Sequence, residues 1–257
     1  MTDDAYARYP SLVDRPVFIT GGASGIGASL VAHFAQAGAR VAYIDLDTAA
    51  AATLNTALER AGLNSPWFQR VDVTQTNALQ EAIMAAAAAL GPIRVLVNNA
   101  ANDDRHDIEA LTLAYWDERL AINLTPHVFA AQAVAPGMKA AGGGSIINMG
   151  SITWVIGQAE MPGYSTSKAA ISGLTRALAR RWGADGIRVN CLMPGAILTD
   201  RQRRLWLTPD YEAEVLTRQS LKRHLRPEEV ARLALFLAAD DASAITGQNY
   251  IVDGGWV

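Results

Sequence analysis

Short apolar runs alternate along this chain with longer stretches in which apolar positions return every three to four residues. The runs Val17–Thr20, Val41–Asp45, Trp67–Val71, Val95–Asn98, Ser145–Met149, Arg188–Leu192 and Tyr250–Val252 read as strands. Between them, residues 28–37, 48–61, 77–90, 164–182 and 227–238 read as helices, and 115–141 as one long helical region. Gly38, Gly62 and Gly91-Pro92 supply the stops. The strands are almost wholly apolar, as strands covered on both faces are. The alternation predicts a single α/β domain over residues 1–257: a doubly wound parallel sheet of about seven strands with helices on both faces. Right-handed crossovers then gather the strand C-termini on one edge, where ligands bind. Residues 200–226 break the rhythm; polar and aromatic, they read as a flap over that edge.

Composition narrows the function classes. A net charge of −3 over 257 residues argues against a nucleic-acid partner. The basic cluster Arg201-Gln202-Arg203-Arg204 is short and reads as the polar face of a lid or a subunit contact. Cys191, the single cysteine, lies in an apolar run and reads as a buried small hydrophobe. No apolar run approaches the roughly 20 residues needed to span a bilayer. Met1-Thr2-Asp3-Asp4 does not resemble a signal peptide, so a cytoplasmic protein is expected.

The first strand runs directly into Thr20-Gly21-Gly22-Ala23-Ser24-Gly25-Ile26-Gly27 and then a helix. Glycines there let the backbone approach a pyrophosphate, and a helix N-terminus offers it N–H groups. An ordinary strand-to-helix turn would look similar. Asp45 ends the second strand about 20 residues on, where an acid accepts hydrogen bonds from ribose hydroxyls. A helix N-cap is the alternative for Asp45. No Lys or Arg follows at 46–48 and position 23 is Ala, so NAD is expected rather than NADP.

Tyr164 and Lys168 stand four apart on a helix and share a face. A nearby ammonium stabilises phenolate, which would let Tyr164 act as a general base towards an alcohol. Ser151 follows the fifth strand and can hold the reacting oxygen.

Taken together these residues resemble the short-chain dehydrogenase/reductase family across nearly the whole chain. Thr20–Gly27 fits its nucleotide motif, Asp72-Val73 its adenine contact, and Asn98-Asn99-Ala100 its fourth-strand motif, where Ala101 replaces the usual glycine and slightly crowds the loop. Asn123, Ser151, Tyr164 and Lys168 match its catalytic set. Pro194-Gly195, with Ile197 and Thr199 behind, matches the segment at the nicotinamide end, and Val252-Asp253-Gly254-Gly255 the last strand. The resemblance implies a Rossmann-type fold, and a cofactor held by Gly21, Ser24, Gly25, Ile26, Gly27, Asp45, Asp72, Val73, Asn99, Tyr164, Lys168, Pro194, Gly195, Ile197 and Thr199. It further implies that Tyr164 exchanges the proton, Lys168 lowers the Tyr164 pKa and holds the nicotinamide ribose, and Asn123 supports a relaying water. A homotetramer with helices near 112–141 and 164–182 at one interface is also implied.

For the substrate, Asn102, Trp154 and Gln158 join Ser151 and Tyr164 as candidates. Indole faces pack against sugar C–H groups and amides suit hydroxyls, though Trp154 could equally be a core or subunit contact. Asn102-Asp103-Asp104-Arg105-His106 reads either as a polar cluster at the site or as a solvated loop with internal ion pairs; Asp104 and His106 alone are poor evidence for a metal, and none is expected. Those five residues, with Tyr9–Leu12, Tyr115–Arg119, Gln132–Lys139 and Asp240–Ser243, resemble bacterial NAD-dependent sugar dehydrogenases of that family, which oxidise the C1 hydroxyl of D-xylose-like aldopyranoses to lactones. L-arabinose, L-fucose or a 2-keto-3-deoxy sugar acid stays open as substrate. So does a non-catalytic NAD(H)-binding regulator.

Overall fold

The computed structural model describes residues 6–257; the acidic Met1–Asp4 stretch lies outside them. Seven parallel strands form one sheet in the order β3-β2-β1-β4-β5-β6-β7. They are β1 (Pro16–Thr20), β2 (Arg40–Asp45), β3 (Trp67–Arg70), β4 (Val95–Asn98), β5 (Gly144–Met149), β6 (Ile187–Pro194) and β7 (Asn249–Val252). The expected doubly wound sheet is therefore present. Between β1 and β4 the strand order reverses, which opens a crevice at their C-terminal ends.

Helices α1 (Gly25–Gln36), α2 (Thr48–Arg60), α3 (Thr76–Leu90), α5 (Thr125–Ala140), α6 (Pro162–Trp182) and α9 (Pro227–Ala238) flank the sheet. Side chains on its two faces form two large apolar clusters, one around Leu30, Phe34, Tyr43 and Leu237, the other around Phe18, Ile83, Leu96 and Met138. β1 and β4 are buried at every position, which explains their unbroken apolar sequence.

Two expectations change. The region 115–141 is two helices, α4 (Leu113–Asn123) and α5, because Leu124 leaves helical geometry (φ −126°) just before the Thr125-Pro126 start. Residues 200–226 carry α7 (Asp200–Leu205) and α8 (Pro209–Arg218), each started by a threonine. The Thr199 hydroxyl accepts from Gln202 N–H, and Thr208 from Tyr211 N–H, both at 3.2 Å. The segment expected as a flap is thus partly helical.

Candidate active site

One large cleft runs along the C-terminal edge of the sheet, with Gly21, Asp45, Asp72, Asn99, Ser151 and Gly195 in its wall. Around Gly21–Gly27 the wall is a shaped backbone. Gly21 has φ +66°, and a Cβ there would fall 2.8 Å from Ala100 Cα. A Cβ on Gly27 would overlap the Gly21 carbonyl oxygen. Asn99 braces the turn by donating to the carbonyls of Gly21 (2.8 Å) and Thr20 (3.1 Å). Ser24 caps α1 with extended backbone and no side-chain bond, so the first-turn N–H groups are left to face the cleft. These features fit a dinucleotide.

Asp45 sits at the rim, fixed by the N–H groups of Ala23 (2.9 Å) and Asp47 (3.1 Å). The cap of α2 is Asp47, which accepts from Ala49 and Ala50, so Asp45 is not the N-cap. Its carboxylate keeps acceptor capacity for a diol. Asp72, Val73, Pro194, Ile197 and Thr199 also line the cleft, as do Ser24, Gly25 and Ile26. Ala101 is exposed, and Asp14 is the one non-glycine at positive φ among the described residues, so Ala101 brings no backbone strain.

Tyr164 and Lys168 reach the cleft from the first turns of α6, and Ser151 from the end of β5. Lys168 is buried; its Nζ donates to the Met149 carbonyl at 2.7 Å and lies 5.4 Å from the Tyr164 ring centre. Burial pushes the Lys168 pKa down to about 8, with the Cys191 and Asp103 charges acting the other way. Tyr164 is held above the ordinary phenol range, first by burial and then by the Asp103 charge, against a hydrogen bond with Ser151. Burial raises the Cys191 thiol to about 11, in keeping with a packed, inert side chain. Asn123 is buried and not in the cleft wall; its Oδ1 accepts from Asn102 N–H (2.8 Å) and its Nδ2 donates to the Arg119 carbonyl (3.0 Å). It ties the loop after β4 to the end of α4.

Elsewhere the cleft wall is made of side chains from three loops. Asn102 and Gln158 line it. Trp154 does not: Ile152 and Ile156 on either side of it line the cleft, while Trp154 is outside the wall and 39% exposed. The expected sugar contact at Trp154 therefore finds no support in the cleft wall. Arg201 on α7 bonds Asp103 (3.0 Å) and Asp104 (2.6 Å), and Gln202 bonds Asp103 (2.9 Å). Arg105 pairs with Glu160 (2.8 Å) and lies 4.6 Å over the Trp206 ring. The five-residue loop is thus at the site and ion-paired at once. His106 Nε2 accepts from Gly163 N–H (3.2 Å) and its Nδ1 meets the Asp104 carbonyl (3.1 Å), which anchors the start of α6. Asp103 and Arg105, from the polar loop singled out in the sequence, line the cleft. So do Trp206, Tyr211 and Trp256, which the sequence did not single out; for Trp256 the only local signal is the preceding Gly254-Gly255.

A model described as Enoyl-(Acyl carrier protein) reductase matches residues 21–257. The chain is 49% identical over 250 residues to D-xylose 1-dehydrogenase of Caulobacter vibrioides, covering 97% of this chain and 98% of that one. The chain belongs to the short-chain dehydrogenase/reductase family. It is also 47% identical to a Rhizobium meliloti protein named "Probable galactose dehydrogenase GalD", over 97% of each chain. Among solved structures, 3-oxoacyl-[acyl-carrier protein] reductase from Brucella melitensis superposes with a TM-score of 0.92 at 31% identity, covering 100% of this chain and 97% of that one. This family member is an oxidoreductase acting on CH–OH groups, and such dehydrogenases typically work with a nicotinamide cofactor. No helix among the described residues is long and apolar enough to cross a membrane.

Proposed function

We propose that this chain is an NAD-dependent sugar dehydrogenase that oxidises the C1 hydroxyl of a D-xylose-like aldopyranose to a lactone. The observation that carries the chemistry is the convergence of Ser151, Tyr164 and Lys168 in the same cleft as the glycine cradle. The fixed Asp45 carboxylate favours NAD, since it would repel a 2′-phosphate. The sugar is favoured by the names of the two relatives just given. Arg105 and Arg201 are already matched by Glu160, Asp103 and Asp104, which favours a neutral sugar over a sugar acid.

Gly21, Ser24, Gly25, Gly27, Asp45 and Lys168 would hold the dinucleotide, whose nicotinamide supplies the hydride acceptor. Ser151 positions the C1 oxygen, and Tyr164 takes its proton. Burial alone opposes phenolate at Tyr164, so positive charge beside it is required. Lys168, with a pKa of about 8, still carries that charge at neutral pH. Asn123 keeps the Asn102 loop registered on α4 and so fixes that part of the cleft wall.

A panel of aldoses and sugar acids with NAD and NADP, followed by absorbance of the reduced nucleotide, tests this reading. Turnover of D-xylose or a close aldose with NAD is expected. Activity confined to a sugar acid, or a preference for NADP, would overturn the substrate or cofactor assignment. A homotetramer is part of the proposal, and light scattering showing a monomer would remove it.

A further inference from the structure

We infer that Trp256 is the apolar wall of the sugar subsite and sets specificity for an aldose ring; the inference rests on the sugar reading above. Trp206 and Trp256 are the tryptophans in the cleft wall among the described residues. The face of Trp206 is taken by the Arg105 guanidinium. Trp154 is outside the wall. That leaves the Trp256 indole for the carbon face of a substrate.

Its position is built rather than incidental. Trp256 packs on the cluster of Ile152, Ile171, Cys191 and Met193, beside Ile156. Ile152 follows Ser151 directly, and its N–H bonds the Pro194 carbonyl at 3.2 Å. Trp256 therefore sits at the reactive end of the cleft, not the adenosine end. Asp253, 5% exposed, clamps the segment on both sides of the indole: its two oxygens accept from Gly255 N–H (2.8 Å) and Val257 N–H (2.9 Å). The same Asp253 abuts Gly195, where a Cβ would fall 2.7 Å from the Asp253 Cβ. Indole position and the Pro194-Gly195 segment are thus coupled through one residue, Asp253. An aromatic face against a pyranose ring, in a cleft that also carries polar groups such as Gln158 and Ser151, selects a ring that is apolar on one face and hydroxylated at the edge.

The test compares Trp256→Leu and Trp256→Phe with the natural protein, using D-xylose and NAD. Trp256→Leu is expected to raise the KM for the aldose about three- to tenfold, with kcat and the KM for NAD little changed, because ring packing acts equally on ground and transition states. Trp256→Phe keeps an aromatic face and should restore most of the loss. An unchanged aldose KM in Trp256→Leu overturns the inference. So does a rise in both KM values together with a falling melting temperature that Trp256→Phe does not rescue, since that is the mark of packing alone. If the natural protein turns over no aldose, the sugar reading itself fails and takes the inference with it; an active natural protein with an indifferent Trp256→Leu removes the inference only.

Discussion

Around Gly21–Gly27 the cleft wall is main chain held by a packed sheet, whereas around 103–105, 158–160 and 201–211 it is charged side chains reaching across from separate loops. The first wall is fixed by steric necessity, since a single Cβ would collide with backbone. The second is fixed by partly exposed ion pairs such as Arg201–Asp103, where Arg201 is 43% and Asp103 22% exposed. Exposed pairs of this kind contribute about 0–1 kcal/mol each. The contrast teaches that one wall is rigid and suited to a dinucleotide, while the other can change with a few substitutions at little cost in stability.

Tyr164, on the seam between the walls, gives the largest expected effect. Tyr164→Phe should lower kcat by about 10²–10⁴-fold while NADH binding, followed by fluorescence titration, stays intact. A variant that turned over normally would remove Tyr164 from the chemistry.

On the rigid wall, Gly27→Ala should weaken NADH binding roughly ten- to a hundredfold, because the added Cβ has no room beside the Gly21 carbonyl. Unchanged affinity would mean that the cradle yields as easily as the opposite wall.

Lys168 separates function from stability. Its folded pKa of about 8 lies below its unfolded value, so the buried charge costs stability in full below pH 8, and the cost fades as pH rises towards about 10.4. Lys168→Met should abolish turnover, yet stabilise the protein at pH 7 by about 1–2 kcal/mol in urea titrations. The gain should vanish near pH 10; a gain independent of pH would point to packing instead.

The smallest effect is expected on the ion-paired wall. Arg201→Ala should cost under about 1 kcal/mol of stability. It should nonetheless raise the aldose KM a fewfold and make it less dependent on salt, because Asp103 then loses its partner beside Tyr164. A loss of stability comparable to a core mutation would show that the two walls are equally rigid.

The parallel sheet, the glycine cradle, Asp45 and the Tyr164/Lys168 face were legible in the sequence because each obeys a local rule. Apolar runs mark strands buried on both faces, glycines mark a backbone that must come close, and four-residue spacing marks one helix face. The long helix at 115–141 was misread at Leu124, where apolar periodicity continues through a break that the following Pro126 marks. Composition does not tell that Ile152 and Ile156, rather than Trp154 between them, line the cleft.

By itself, then, the sequence determined the sheet, its nucleotide edge and the residue types of the chemistry, since these depend on spacing within one strand, turn or helix. Only the tertiary structure decided that Asp103 meets Arg201 across 98 positions, that Arg105 covers Trp206, and that Trp256 packs on the Ile152 cluster in the same cleft as Ser151. Those meetings depend on how the crossovers stack distant loops over the strand ends, and no local periodicity encodes them.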